Sequence, residues 1–145
     1  MNNNYLINAN IVLLCFVVAL SATLGSLFFS EVMEFVPCSM CWYQRIFMYP
    51  LVLIFLLNLL YPDDKLFKYS MPVVLVGFFF AVYHNLLMFK IIPESVVPCV
   101  QGVPCSTVYL NWLGFITIPL LSLVAYTTIL VLLLVGNKGS QKNEK

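Results

Sequence analysis

Long apolar runs separated by short polar connections dominate this chain. Residues 11–29 carry no charge, 42–61 is charge-free from Ile46 onward, 69–89 is interrupted only by His84, and 113–135 has Pro119 near its entry. Each run is long enough to cross hydrocarbon about 30 Å thick, which takes about 20 apolar residues in a helix. The runs are continuous rather than alternating, which fits helices and not the strands of a membrane barrel. Pro50 lies inside the second run, a place for a kink. The pattern predicts an all-α fold: a transmembrane four-helix bundle with helices near 11–29, 42–61, 69–89 and 113–135, forming a single integral membrane domain over 1–145.

Composition agrees with that pattern. The 145 residues are 62% hydrophobic and 9% charged, against about a quarter charged in a soluble domain. A formal net charge of +1 with no cluster of Lys and Arg argues against nucleic acid as a partner, because a binding face must neutralise phosphates.

Orientation follows from the basic residues. Lys65 and Lys68 lie in the connection between the second and third runs, and Lys138, Lys142 and Lys145 follow the fourth. The positive-inside tendency puts these segments and both termini in the cytoplasm. The connections Ser30–Cys41 and Lys90–Trp112 then face outward. The stretch Met1–Asn10 lacks the basic start of a secretory signal and is expected to be retained.

Both outward connections carry a cysteine pair, Cys38 with Cys41 and Cys99 with Cys105. Outside the cytoplasm disulfides persist, so structural staples are one reading of the four. A bridge across Cys38-Ser39-Met40-Cys41, however, closes a very small ring and constrains the unfolded chain little. Such a motif lowers one thiol's pKa and suits redox chemistry or metal ligation. Four thiolates holding zinc is a further reading. Pro37, Pro98 and Pro104 each precede a cysteine, and Gly102 permits a tight turn between Cys99 and Cys105. Cys15, in the middle of the first run, reads as a small buried apolar residue.

Arg45 lies four residues after Cys41, on the same helical face and one turn further into the membrane. It reads either as a snorkelling cation at the lipid interface or as the charge that stabilises the Cys41 thiolate and holds the carbonyl oxygen of a reducible apolar ligand. His84 lies about 22 Å along the third helix from Tyr69 at 1.5 Å per residue, toward the same outer side. It reads as a backbone-bonded membrane histidine or as a group that handles protons or positions a ligand headgroup.

The stretch Cys38-Ser39-Met40-Cys41-Trp42-Tyr43-Gln44-Arg45 resembles the C-x-x-C-x-Y-x-R signature of the DsbB/BdbC disulfide bond formation proteins, which are bacterial membrane thiol:quinone oxidoreductases. Tyr83-His84-Asn85 is similar to that family's segment in its third helix, and Trp112-Leu113-Gly114 with Pro119 resembles its entry into the fourth. The resemblance runs from the first helix to the fourth, and the five-residue spacing of the second pair is that of the short-loop BdbC type.

The resemblance implies an enzyme, a quinone-dependent protein-dithiol oxidoreductase of the bacterial cytoplasmic membrane. A reduced thioredoxin-fold oxidase of the DsbA/BdbD kind attacks the Cys99–Cys105 disulfide, Cys105 attacks Cys38, and Cys41 is freed beside Arg45. Arg45 and His84 then lie near a quinone, ubiquinone or menaquinone, drawn from the membrane quinone pool. No metal is implied. Two other readings compete with this one. In the vitamin K epoxide reductase class the pair nearest the quinone comes late in the bundle, whereas here it opens the second helix. A tetraspanin-like organiser with structural disulfides usually carries a larger second outer loop than this chain has.

Overall fold

The computed structural model describes residues 3–63, 65–89, 91 and 117–141, with the side chains of 3–8 and 138–141 excepted. Four helices follow in chain order: α1 (Asn3–Glu31), α2 (Ser39–Leu60), α3 (Leu66–Met88) and α4 (Ile118–Gln141). Each contains a stretch long and apolar enough to cross a membrane, namely Ala9–Glu31, Ser39–Leu60, Leu66–Met88 and Ile118–Asn137. No strand occurs among the described residues. The helices pack in sequence, α1 on α2, α2 on α3, α3 on α4, and α4 closes back on α1. This is the all-α, four-helix architecture that the hydrophobic pattern predicts.

The core is built from small and large residues of all four helices. Cys15 and Ala19 of α1, Leu51 and Phe55 of α2, Val74 and Ala81 of α3, and Tyr126, Ile129 and Leu133 of α4 are fully buried. Large apolar side chains also cover the outside, among them Leu24, Leu53, Leu60, Phe79 and Val124. Lipid solvates such groups as well as a core does, so a membrane bundle leaves them outward without penalty.

Tyr126 crosses the bundle. Its hydroxyl donates to the Gln44 carbonyl on α2 at 2.7 Å, and its ring lies on Gly77 of α3, where an added Cβ would overlap the ring. One side chain of α4 therefore fixes the spacing of α2 and α3. Asn85 of α3 donates to the Pro119 carbonyl in the first turn of α4 at 2.9 Å. A proline is tolerated at that position because a first-turn N–H has no intrahelical partner.

The helix ends differ from the sequence expectation for local reasons. α2 starts at Ser39 rather than Trp42, with Cys38 as its N-cap and the Cys38 sulfur accepting the Cys41 N–H at 3.4 Å. Both members of the first pair therefore belong to the helix start, not to the connection before it. α3 starts at Leu66, directly after a turn in which Asp63 Oδ1 accepts the Lys65 N–H at 2.9 Å. α1 extends past its charge-free stretch at both ends, because backbone hydrogen bonding does not stop where apolar residues do. The second pair, Cys99 and Cys105, and the beginning of the fourth expected span lie outside the described residues.

Candidate functional site

One end of the bundle gathers the buried polar side chains Gln44, His84 and Asn85. The polar residues collect there because the N-terminus of α2 meets the C-terminal part of α3 at this end. Pro37 and the αL turn at Glu34 (φ 54°) deliver the chain to it. That turn lets the Phe35 N–H reach the Phe29 carbonyl at 3.1 Å, with the two rings stacked 6.4 Å apart. The connection thereby folds back over the end of α1 and leads into Cys38.

Cys38 and Cys41 are free thiols whose sulfurs lie 2.9 Å apart, within reach of disulfide closure. Cys38 is buried at 6% exposure, whereas Cys41 is half-buried. His84, on α3 and fully buried, places Nε2 3.8 Å from the Cys38 sulfur. Its other nitrogen, Nδ1, lies 3.1 Å from the side-chain amide of Gln44. Gln44 is held in turn by Tyr126 through its backbone carbonyl, so the chain Tyr126–Gln44–His84–Cys38 ties α4, α2 and α3 to one sulfur.

The electrostatics favour a thiolate at Cys38, at the mouth of the α2 span. The hydrogen bond from Cys41 holds the Cys38 thiol well below the ordinary thiol range. Burial opposes that shift, while the hydrogen bond and positive field of His84 and the Cys41 backbone N–H add to it. A cysteine at a helix N-terminus has this tendency in general.

Arg45 turns to the other side of α2. Its Nε donates to Ser26 Oγ at 2.7 Å and its Nη2 to the Ser26 carbonyl at 2.8 Å, and the guanidinium lies 5.6 Å from the centre of the Trp42 ring. Arg45 and Cys41 both line a cavity of about 520 Å³ between α1, α2 and α4. Its walls are mainly apolar, and its polar lining includes Thr23 and Tyr49. The buried Thr23 Oγ1 and Tyr49 Oη have no hydrogen-bond partner among the described residues.

The structure thus brings Cys38, Cys41 and His84 into one cluster and sets Arg45 beside it on the cavity wall, while Cys99 and Cys105 lie outside the described residues. Sequence reasoning missed Gln44, Tyr126, Ser26 and the hydroxyls of Thr23 and Tyr49. Gln44 had a signal, an uncharged polar residue between Cys41 and Arg45 at the start of an apolar run. Tyr126 had none, because an aromatic in an apolar helix is usual.

Comparison with known proteins gives a consistent picture. The family model described as disulfide bond formation protein DsbB matches residues 8–136. Disulfide bond formation protein C of Bacillus subtilis (strain 168) is 49% identical over 125 residues, covering 85% of this chain and 91% of that protein. Probable disulfide formation protein C 1 of Bacillus anthracis is 46% identical over 111 residues, covering 76% of this chain and 79% of that protein. Probable disulfide formation protein C of Halalkalibacterium halodurans is 42% identical over 122 residues, covering 84% and 89%. No solved structure matches the chain.

Proposed function

This chain belongs to the DsbB family of disulfide bond formation proteins, and from that premise we propose that it is a thiol:quinone oxidoreductase that recharges an extracytoplasmic thioredoxin-fold oxidase of the DsbA/BdbD kind. The family makes it a membrane oxidoreductase of disulfide formation. The acceptor, the partner and the residue roles are our reading. The observation that carries it is the cavity that Cys41 and Arg45 line together.

The residues present fit a quinone. A volume of about 520 Å³ is in the range of small-molecule sites, about 300–1,000 Å³. Apolar walls suit an isoprenoid-bearing ring, and Arg45 on the cavity wall offers a donor for one of its carbonyl oxygens. A quinone bound there, ubiquinone or menaquinone, supplies the sink for two electrons and two protons.

The chain's own sulfurs carry the relay. A thiolate of the reduced partner attacks the Cys99–Cys105 disulfide at Cys99, and the second partner thiol resolves the mixed disulfide, which leaves the partner oxidised and Cys99 and Cys105 as thiols. Cys105 then attacks Cys38, and the Cys38–Cys41 bond breaks with Cys41 leaving as a thiolate. Attack by Cys99 on Cys105 releases Cys38, which His84 and the α2 N-terminus hold as a thiolate. Cys41 is the member of the pair that faces the cavity, so the electron pair leaves from that sulfur as the Cys38–Cys41 bond re-forms. Arg45 orients the acceptor, and His84 is placed to move a proton at Nε2.

We place the single membrane domain in the bacterial cytoplasmic membrane, with both termini inside and both cysteine pairs outside. Lys65 and Lys68 support this, because they lie at the end of the bundle opposite Cys38.

The test is anaerobic mixing of the purified protein with a reduced thioredoxin-fold oxidase and a short-chain quinone. The expected result is loss of two partner thiols for each hydroquinone formed. Partner oxidation without hydroquinone, or no oxidation at all, would overturn the reading.

A further inference from the structure

We propose that the reduced Cys38–Cys41 pair and His84 form a zinc site, in which the two sulfurs and Nε2 capture a divalent ion and so block the pair from re-forming its disulfide. The inference requires only that the pair be reduced, and it stands whether or not a quinone is the acceptor.

Two helices supply the ligands. Cys38 and Cys41 come from the start of α2 and His84 from α3, and all three ligand atoms lie within 4.8 Å of one another. A tetrahedral zinc ion with Zn–S near 2.3 Å and Zn–N near 2.05 Å separates sulfur from nitrogen by about 3.6 Å and sulfur from sulfur by about 3.8 Å. The Cys38 sulfur already lies 3.8 Å from Nε2. The sulfur–sulfur distance of 2.9 Å must widen by about 0.9 Å, and the Cys41 sulfur, within 4.8 Å of Nε2, must settle at about 3.6 Å from it, so the half-buried Cys41 is the ligand that moves. Three protein ligands with a fourth position open is the pattern of a zinc site that admits an exogenous group.

The surroundings suit a ligating imidazole. A histidine that binds metal through one nitrogen donates the N–H of the other to a fixed acceptor. Gln44 stands at that place, 3.1 Å from Nδ1, and a half-turn of its amide presents the oxygen, since the two ends of an amide exchange roles with the network around them. The Gln44 backbone is pinned by Tyr126, so the acceptor is held on α2 independently of α3. Charge also balances. Both sulfurs bind as thiolates, and two thiolates with a divalent ion sum to zero, which removes the penalty of burying a net charge. No electron moves in this step.

The ion and the disulfide exclude each other because both use the same two sulfurs. Bound zinc would therefore hold the protein in its reduced form.

The test uses the full-length protein with Cys15, Cys99 and Cys105 replaced by Ser, so that no other thiol competes, and folding is checked by circular dichroism in detergent. The protein is reduced under anaerobic conditions, cleared of reductant and titrated with Co²⁺ and then Zn²⁺. We expect one Co²⁺ per chain with sulfur-to-cobalt charge-transfer absorption and tetrahedral d–d bands, and displacement by Zn²⁺. The same polypeptide oxidised at Cys38–Cys41 should show none of these signals, and His84→Ala should weaken binding at least about tenfold. Equal binding by the oxidised polypeptide, binding far below one equivalent, or unchanged affinity in a folded His84→Ala variant would overturn the site. Quinone reduction enters none of these readouts, so a failure here and a failure of the redox reading are told apart.

Discussion

The Cys38 sulfur and the His84 Nε2 lie 3.8 Å apart although 46 positions separate them in the chain. This contact makes one sulfur of a close pair chemically unlike the other. Cys38 carries the helix-start hydrogen bond and the imidazole, while Cys41 opens to the cavity.

From that contact follows a prediction about reactivity. The Cys38 thiol is held below the ordinary thiol range, first by Cys41 and then by His84, so its thiolate persists at a pH where a free cysteine, near 8.5, is protonated. In the reduced protein, iodoacetamide should therefore label Cys38 at pH 6–7 faster than an unperturbed thiol of equal access. His84→Ala should slow labelling in that window several-fold and leave the rate above pH 9 nearly unchanged, because the variant moves the midpoint up. Mass spectrometry of the labelled peptide reads the result, and an identical pH profile in the variant would remove His84 from the account.

Arg45 gives a binding prediction. A hydrogen bond to a charged donor contributes about 1.5–3 kcal/mol, so Arg45→Met should raise the KM for a short-chain quinone about tenfold or more, with a smaller change in kcat. Ser26 holds the guanidinium by its hydroxyl and its carbonyl. Ser26→Ala removes one of these and should raise KM about two- to five-fold. If neither variant moves KM, Arg45 is an interfacial cation tied to α1 and no more.

Much of this was legible in the sequence, for a physical reason. Spanning helices must be long and continuous in lipid, so charge-free runs announce them, whereas the spacing of the cysteine pair left a bridge, redox chemistry and metal ligation open until the resemblance to the DsbB/BdbC proteins was added. Helix ends were less legible, since Cys38 caps α2 with its own sulfur and carries the pair into the helix. The partnership of Cys38, His84 and Gln44 was hidden because it depends on how α2 and α3 are rotated against each other, which the Tyr126–Gly77 contact sets. No periodicity reports such a rotation. The unpartnered hydroxyls of Thr23 and Tyr49 were hidden for the same reason.

Those hydroxyls separate ligand binding from stability. A buried hydroxyl without a partner costs about 1–3 kcal/mol, so removing one from a site that serves only the fold is neutral or stabilising. Tyr49→Phe and Thr23→Val should therefore leave the thermal midpoint in detergent unchanged or raise it. If the cavity takes a carbonyl-bearing ligand, the same variants should raise its KM about two- to ten-fold. A lower midpoint with unchanged KM would mean that the hydroxyls serve packing and not a ligand.

Gly77 tests the geometry that places the site. An added Cβ there would overlap the Tyr126 ring, whereas one at Gly25 meets nothing within 4 Å. Overpacking of this kind costs about 1–3 kcal/mol, and here it also pushes Tyr126 away from the Gln44 carbonyl. Gly77→Ala should lower the thermal midpoint in detergent and also slow labelling of Cys38 at pH 6–7, because Gln44 no longer holds the imidazole square to the sulfur. Gly25→Ala should do neither, which controls for the loss of a glycine in a helix. A Gly77→Ala protein of lowered stability but unaltered Cys38 labelling would show that Tyr126 braces the bundle without positioning His84.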